Sequence, residues 1–287
     1  MSLALGTRVF GEDADVDSWL AALECLDVRG VRVDPSRAHT APAQAQQAGR
    51  RLSDAGVRIS AWAPDAPAAL ATTPDVRAHV GAWLAEATTV AASLGARHVV
   101  VDLGVSASVA AEEARTAQRA ALREGTPVAN EVHDAWLNAR EAQSPRLLEA
   151  IAPVLHASLR GGTPLALRVG AHAGARFAPL ECGWLLDDLP GLAVWADPIR
   201  LAGLHEAGLG EAPATWLEPH AARVVGVEVS GRDTSGEAGR HPEDMPLPWS
   251  TLIDVVPAAA AWTLDLAPHT DEALVRDAVA WARDRLP

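Results

Sequence analysis

The sequence predicts an α/β protein folded as a single-domain (β/α)8 TIM barrel over residues 1–287. Three observations predict it: eight short β-rich runs, a helical pattern after each, and a length of 287 residues that suits eight such units. A doubly wound open sheet is the rival. That fold usually carries a glycine-rich phosphate turn after its first strand, and "TRVFGEDAD" has none.

The expected strands are TRVF (7–10), VRGVRVD (28–34), VRISAWA (57–63), RHVVVDL (97–103), PLALRV (164–169), GLAVWAD (191–197), RVVGVEVS (223–230) and AAWTLDL (260–266). Between them lie helices with recognisable punctuation. DVDSWLAALECL opens on an acidic cap and places apolar residues at i, i+3 and i+4. APAQAQQAGRRLSDAG ends on glycine. TPDVRAHVGAWLAEATTVAASLG begins with Thr-Pro and closes on Gly95. SPRLLEAIAPVLHASLRGG and TDEALVRDAVAWARDRL repeat that grammar.

The alternation breaks twice. A helical insertion occupies about 105–143, and a loop rich in Gly, Pro and charge occupies about 230–249. Both follow strand C-termini, the rim where a barrel builds its active site, so each reads either as a lid or as a plain surface loop.

Composition narrows the chemistry. The formal net charge is −13, with acids and arginines interspersed, which argues against a nucleic-acid binder. No run of about 18 uncharged apolar residues predicts a membrane span, and no secretory signal is expected at Met1. Cys25 and Cys182 lie far apart in helical surroundings, so neither a disulfide framework nor a cysteine metal site is expected, and a cytoplasmic location is. All 24 cationic side chains are arginine, and tyrosine is absent. Schiff-base chemistry on lysine and a tyrosine general acid are thereby excluded.

Strand residues alternate sides, so the inner face can be read by parity. Near the strand C-termini that face carries Arg32, Trp62, Asp102, Arg168, Asp197, Glu228 and Asp265 in strands two to eight. The flanks are apolar, as in "LALRVG" and "VGVEVS", so each charge is either unpaired at a cost or part of a cluster. One charge ending a strand is ordinarily the first solvated position. Six strands ending alike point to a polar cup at the mouth of a barrel. His172, in the "GAHAG" loop, is a candidate ligand or acid/base. Trp62 and Trp195 read as cup wall or core.

The segments "LGARHVVVDLG", "LALRVGAHAG", "LAVWADPIRLAGLHEAG" and "VVGVEVSG", in that order, resemble the xylose-isomerase-like TIM-barrel superfamily over nearly the whole chain. The resemblance implies sugar or sugar-phosphate isomerase and epimerase chemistry. There a divalent metal is commonly held by acids ending strands five, six and eight and a strand-seven histidine, while two acids move a proton between neighbouring carbons. This chain departs from that plan. Arg168 stands at the strand-five acid, Glu228 at the strand-seven histidine and Asp265 at the strand-eight acid; Asp197 keeps the strand-six acid. Arg200 replaces a histidine often found three residues after it, and Arg32 replaces a strand-two acid. A guanidinium only donates, so it cannot ligate a metal.

The expectation is therefore an altered metal site with no cofactor favoured. If a divalent cation (Mn, Mg or Zn) binds, Asp197, Glu228 and Asp265 are its ligands. The favoured function is an isomerase or epimerase acting by proton transfer on a small polar carbonyl or sugar-like substrate. Asp197, Glu228, Asp265 and His172 are the acid/base candidates; Arg32, Trp62, Asp102, Arg168 and Arg200 are the substrate-binding candidates. The alternative is a non-catalytic binding or partner subunit. Expected partners are a small molecule, with neither nucleic acid nor membrane; a homo-oligomer is compatible with the sequence. Abasic-site DNA cleavage, also found in the superfamily, needs several metals and a basic surface that this sequence does not offer.

Overall fold

In a computed structural model, eight parallel strands close into a barrel. The structure describes residues 2–11, 14–34, 42–64, 76–102, 109–141, 144–169, 179–232, 238–244 and 247–287. The barrel strands are β1 (Ser2–Gly6), β2 (Gly30–Val33), β3 (Arg58–Trp62), β4 (Val99–Val101), β5 (Leu165–Val169), β6 (Ala193–Ala196), β7 (Val224–Val229) and β10 (Ala261–Leu264). They neighbour one another in chain order, and β10 closes onto β1 with Ser2 opposite Ala261 and Leu5 opposite Leu264.

The first strand corrects the sequence reading. It is SLALG, and Thr7–Phe10 forms a 3-10 turn after it. The chain leaves the barrel at Gly6, and the Thr7 hydroxyl oxygen accepts the Asp34 amide at 2.9 Å, tying the turn to the end of β2.

The helices of the outer ring are α1 (Val16–Cys25), α2 (Pro42–Asp54), α3 (Val76–Leu94), α4 (Val109–Glu124), α5 (Asn130–Glu141), α6 (Ser144–Gly161), α7 (Pro179–Asp188), α8 (Pro198–Glu206), α9 (Pro213–Leu217), α10 (Trp249–Val255) and α11 (Glu272–Arg285). Their caps follow the sequence signals. Asp15 accepts the Ser18 amide at 2.9 Å to start α1, and Asp271 accepts the Ala273 amide at 2.8 Å to start α11. Gly95 ends α3 at φ 71°, a left-handed turn that a side chain would strain.

Two apolar layers sit on either side of the strands. The outward layer joins Val31, Val33, Leu167 and Val194 to helix residues such as Leu84, Leu155 and Leu186. The inward layer is made of strand residues alone, Ala61, Ala63, Val100, Ala166, Ala193, Trp195 and Ala261. Helices α4 and α5, within the expected insertion, pack on each other and on α8 through Ala114, Ala121, Trp136 and Leu204. In the late loop, β8 (Gly231–Arg232) and β9 (Ala238–Arg240) form a small antiparallel ribbon. The buried Arg232 pins it to Glu206 at the end of α8. Among the described residues no helix is long and apolar enough to cross a membrane.

Candidate functional site

The interior of the barrel changes character along its axis. Its floor is dry. Trp195 is fully buried and lies against Gly226, where a Cβ would fall 2.3 Å from the indole ring. Trp195 thus fills the space that small residues leave on the facing strands; it is floor, not cup wall.

Two residues farther along each strand the charges begin. Arg32 ends β2 with its side chain 1% exposed. Its Nε donates to Asp34 Oδ1 at 2.9 Å, Nη1 to Glu228 Oε1 at 2.6 Å and Nη2 to Asp265 Oδ1 at 2.6 Å. Three carboxylates on three strands are thus gathered by one planar fork, the geometry for which arginine is suited and lysine is not. The crossing is tight: a Cβ on Gly6 would come within 3.1 Å of Arg32 Nη2.

Arg168 ends β5 and approaches from the other side. Its Nη2 donates to Glu228 Oε2 at 2.5 Å and to Asp265 Oδ2 at 3.4 Å, and stands 3.9 Å from Asp197 Oδ2. Its side chain is 15% exposed, and its buried Nε has no hydrogen-bond acceptor among the described residues. Asp197 follows β6 and serves two purposes. Its Oδ1 accepts the Arg200 amide at 3.3 Å, capping α8, while Oδ2 pairs with Arg200 Nε at 3.0 Å.

The electrostatics differ from one acid to the next. Burial pushes the Asp197 carboxyl up to about 7; Glu228 adds to the rise through its charge and a shared hydrogen bond, while Arg200 and Arg168 oppose it. Asp265 is equally buried, but Arg32 and Arg168 outweigh that burial and hold it well below the usual carboxylate range. Burial raises Asp34, with Arg32 pulling the other way. Both guanidiniums are held above their ordinary value because the surrounding carboxylates overcome desolvation. Arg8 acts on Asp265, and Asp102, half-buried at the margin, acts on Arg168. The cluster thus sets Arg8, Arg32, Arg168 and Arg200 against Asp34, Asp102, Asp197, Glu228 and Asp265. A proton on Asp197 evens the count.

This donor set does not fit a divalent cation. Both oxygens of Glu228 and the inward oxygens of Asp265 accept from guanidiniums, so an ion would have to displace Arg168 and face Arg32. Among the described residues no group of three His, Cys, Asp or Glu side chains is placed to hold a metal.

The structure brings together Arg32, Arg168, Asp197, Arg200, Glu228 and Asp265, with Asp102 at their edge. It removes Trp62. The partner register along β2 steps from Ile59 to Ala61, so Ser60 is an extra residue, and Trp62 turns outward to the helices beside Val33 and Val99 while Ala61 faces in. His172 lies outside the described residues. Asp34 was missed, although it stands two residues beyond Arg32 on the same face.

Solved structures share this architecture. An L-ribulose 3-epimerase superposes with a TM-score of 0.72 at 14% identity, covering 99% of this chain and 94% of that one. A D-psicose 3-epimerase, crystallised in the presence of D-fructose, gives 0.71 at 13% identity, covering 100% and 99%. The shared fold is a (β/α)8 TIM barrel. A 3-keto-D-glucoside 4-epimerase from E. coli shares this barrel at a TM-score of 0.68 and 11% identity, covering 99% of each chain. No protein-family model matches the sequence, and no curated protein matches it either.

Proposed function

We propose that the protein is an isomerase or epimerase of a small, polar, sugar-like carbonyl compound, working by proton transfer with arginine where the resemblance read from the sequence implies a metal. One observation carries this reading: Asp197, which burial holds near neutrality, lies 3.9 Å from the Arg168 guanidinium within a cluster of fixed charges. In this mechanism the Asp197 carboxylate takes a proton from the carbon next to the substrate carbonyl. Negative charge then develops on the carbonyl oxygen, and Arg168 stabilises it from a low-dielectric wall. The hydroxyl proton on the first carbon passes to that oxygen, and the protonated Asp197 returns its proton to the former carbonyl carbon, which completes an isomerisation. Epimerisation needs a second acid on the opposite face, and His172 is the candidate for it. Asp34, Glu228 and Asp265, tied to Arg32, set the charge around these groups. The chain acts on a small molecule and uses no tightly bound metal.

A second reading, a barrel that binds without turning over, is favoured by the saturation of Glu228 by two guanidiniums. One experiment separates them. The protein is incubated in D2O with a panel of ketoses, sugar phosphates and sugar acids, with and without EDTA, and carbon-bound deuterium is read by mass spectrometry. Deuterium should enter a substrate with EDTA present and fail to enter with Asp197→Asn. Exchange that appears only after divalent metal is added would overturn the arginine mechanism, and exchange that survives Asp197→Asn would overturn the assignment of the base. Ligand-induced thermal stabilisation without exchange across the panel would favour the binding barrel.

A further inference from the structure

A second cavity, of about 610 Å³, opens on the helix ring rather than in the barrel. Its walls come from α5, α7, the 208–211 turn, α9 and the 3-10 turn after it, and no barrel strand contributes. The α5 wall belongs to the insertion, so the barrel does not need this cavity in order to close.

The lining is aromatic and acidic. Trp136, Trp184 and Trp216 present indoles, and His133 and His220 add imidazoles. Trp216 is fixed in place: its Nε1 donates to the Pro179 carbonyl at 3.1 Å, and its ring packs on His220 with centroids 4.8 Å apart. Trp184 is 39% exposed, one of only three large apolar side chains so exposed among the described residues. Asp187 and Glu211 supply carboxylates, and no arginine is among the described residues that line the space. His220 is held below its ordinary value by burial, with Asp187 and Glu211 pulling it up and Arg223 pushing it down, so the imidazole adds little positive charge beside the two acids at pH 7. Indole faces attract cations through their quadrupole, and carboxylates at the rim select the same charge. The volume suits a small molecule.

We infer that this cavity binds an organic cation, an ammonium group carried on an apolar body, between the Trp184 and Trp216 rings and the Asp187 and Glu211 carboxylates. A neutral ligand of the same shape would gain the ring contact but leave both carboxylates unanswered.

The test uses the full chain, 15N-labelled, with indole N–H signals assigned by single Trp→Phe variants. Choline and its uncharged isostere 3,3-dimethylbutanol are titrated at constant ionic strength. Choline should shift the Trp184 and Trp216 signals saturably, with the neutral isostere about tenfold weaker. Asp187→Asn with Glu211→Gln, both at exposed positions, should erase most of that difference. Equal binding of the two probes would overturn the inference, as would the absence of any saturable shift with choline or a shift confined to indoles elsewhere.

Discussion

Arg32 and Arg168 are the same residue in opposite circumstances, 1% and 15% exposed. Arg32 spends Nε, Nη1 and Nη2 on three different carboxylates. Arg168 serves its carboxylates through Nη2, and its buried Nε–H has no acceptor among the described residues. The difference teaches that one cluster ties its two arginines unequally. The saturated one fixes the architecture of the mouth; the less saturated one is the one proposed above to meet a reacting oxygen.

The largest expected effect tests the saturated half. Arg32→Leu strands three buried carboxyls and should cost about 3–5 kcal/mol in denaturant unfolding. Arg168→Leu should cost clearly less in stability while removing activity. Equal losses from the two would break the comparison.

The next effect is a pH slope. The folded-state value of Asp197 lies near 7 against an ordinary 3.8, so the native state holds a proton that the unfolded chain has released. Stability therefore falls as pH rises from about 4 to about 7, by up to ~4 kcal/mol from this group. Asp265 has the opposite sign. Its depressed value contributes stability above its unfolded value near 3.8 that is lost as pH falls below it. Thermal melts across pH should show Asp197→Asn flattening the neutral slope and Asp265→Asn destabilising the protein at pH 7.

A smaller effect tests the floor. Gly226→Ala forces a methyl against the Trp195 ring and should cost about 1–3 kcal/mol in denaturant unfolding. Last, Arg200→Gln removes a charge that lowers Asp197, so the carboxyl should titrate higher still, with a stability change within about 1 kcal/mol. A titration moving downward would sever Arg200 from the reactive half.

Much of this was legible from alternation. Arg168 and Asp265 fall on the inner face because their strands run unbroken up to them, and Glu228 does so because the register step at Val225 in β7 comes before the Gly226–Glu228 alternation. Where the alternation is interrupted, reading fails. The Ser60 hydroxyl donates to the Val31 carbonyl at 2.8 Å within the bulge, and nothing in the VRISAWA pattern marks the extra residue, so Trp62 took the wrong face. SLALG lacks the β-branched residues that made TRVF look like a strand, yet closure onto β10 selects it. Asp34 was readable and overlooked, because the strand pattern ends where the cluster continues. The pairing among the charges was not readable: parity gives a common pocket, while only coordinates show which oxygen meets which nitrogen. The Trp-lined cavity draws on helices distant in sequence and left no periodic trace.

The central claim is that guanidiniums occupy this mouth and that the Asp197 carboxyl within it titrates near neutrality. A carboxyl 13C NMR titration of aspartate-labelled protein, assigned with Asp197→Asn and repeated with substoichiometric Mn2+, tests it directly. The account predicts one Asp197 resonance with a midpoint near 7 and no selective Mn2+ broadening of Asp197 or Asp265. A midpoint in the ordinary carboxylate range, or selective broadening of those two resonances, would contradict it.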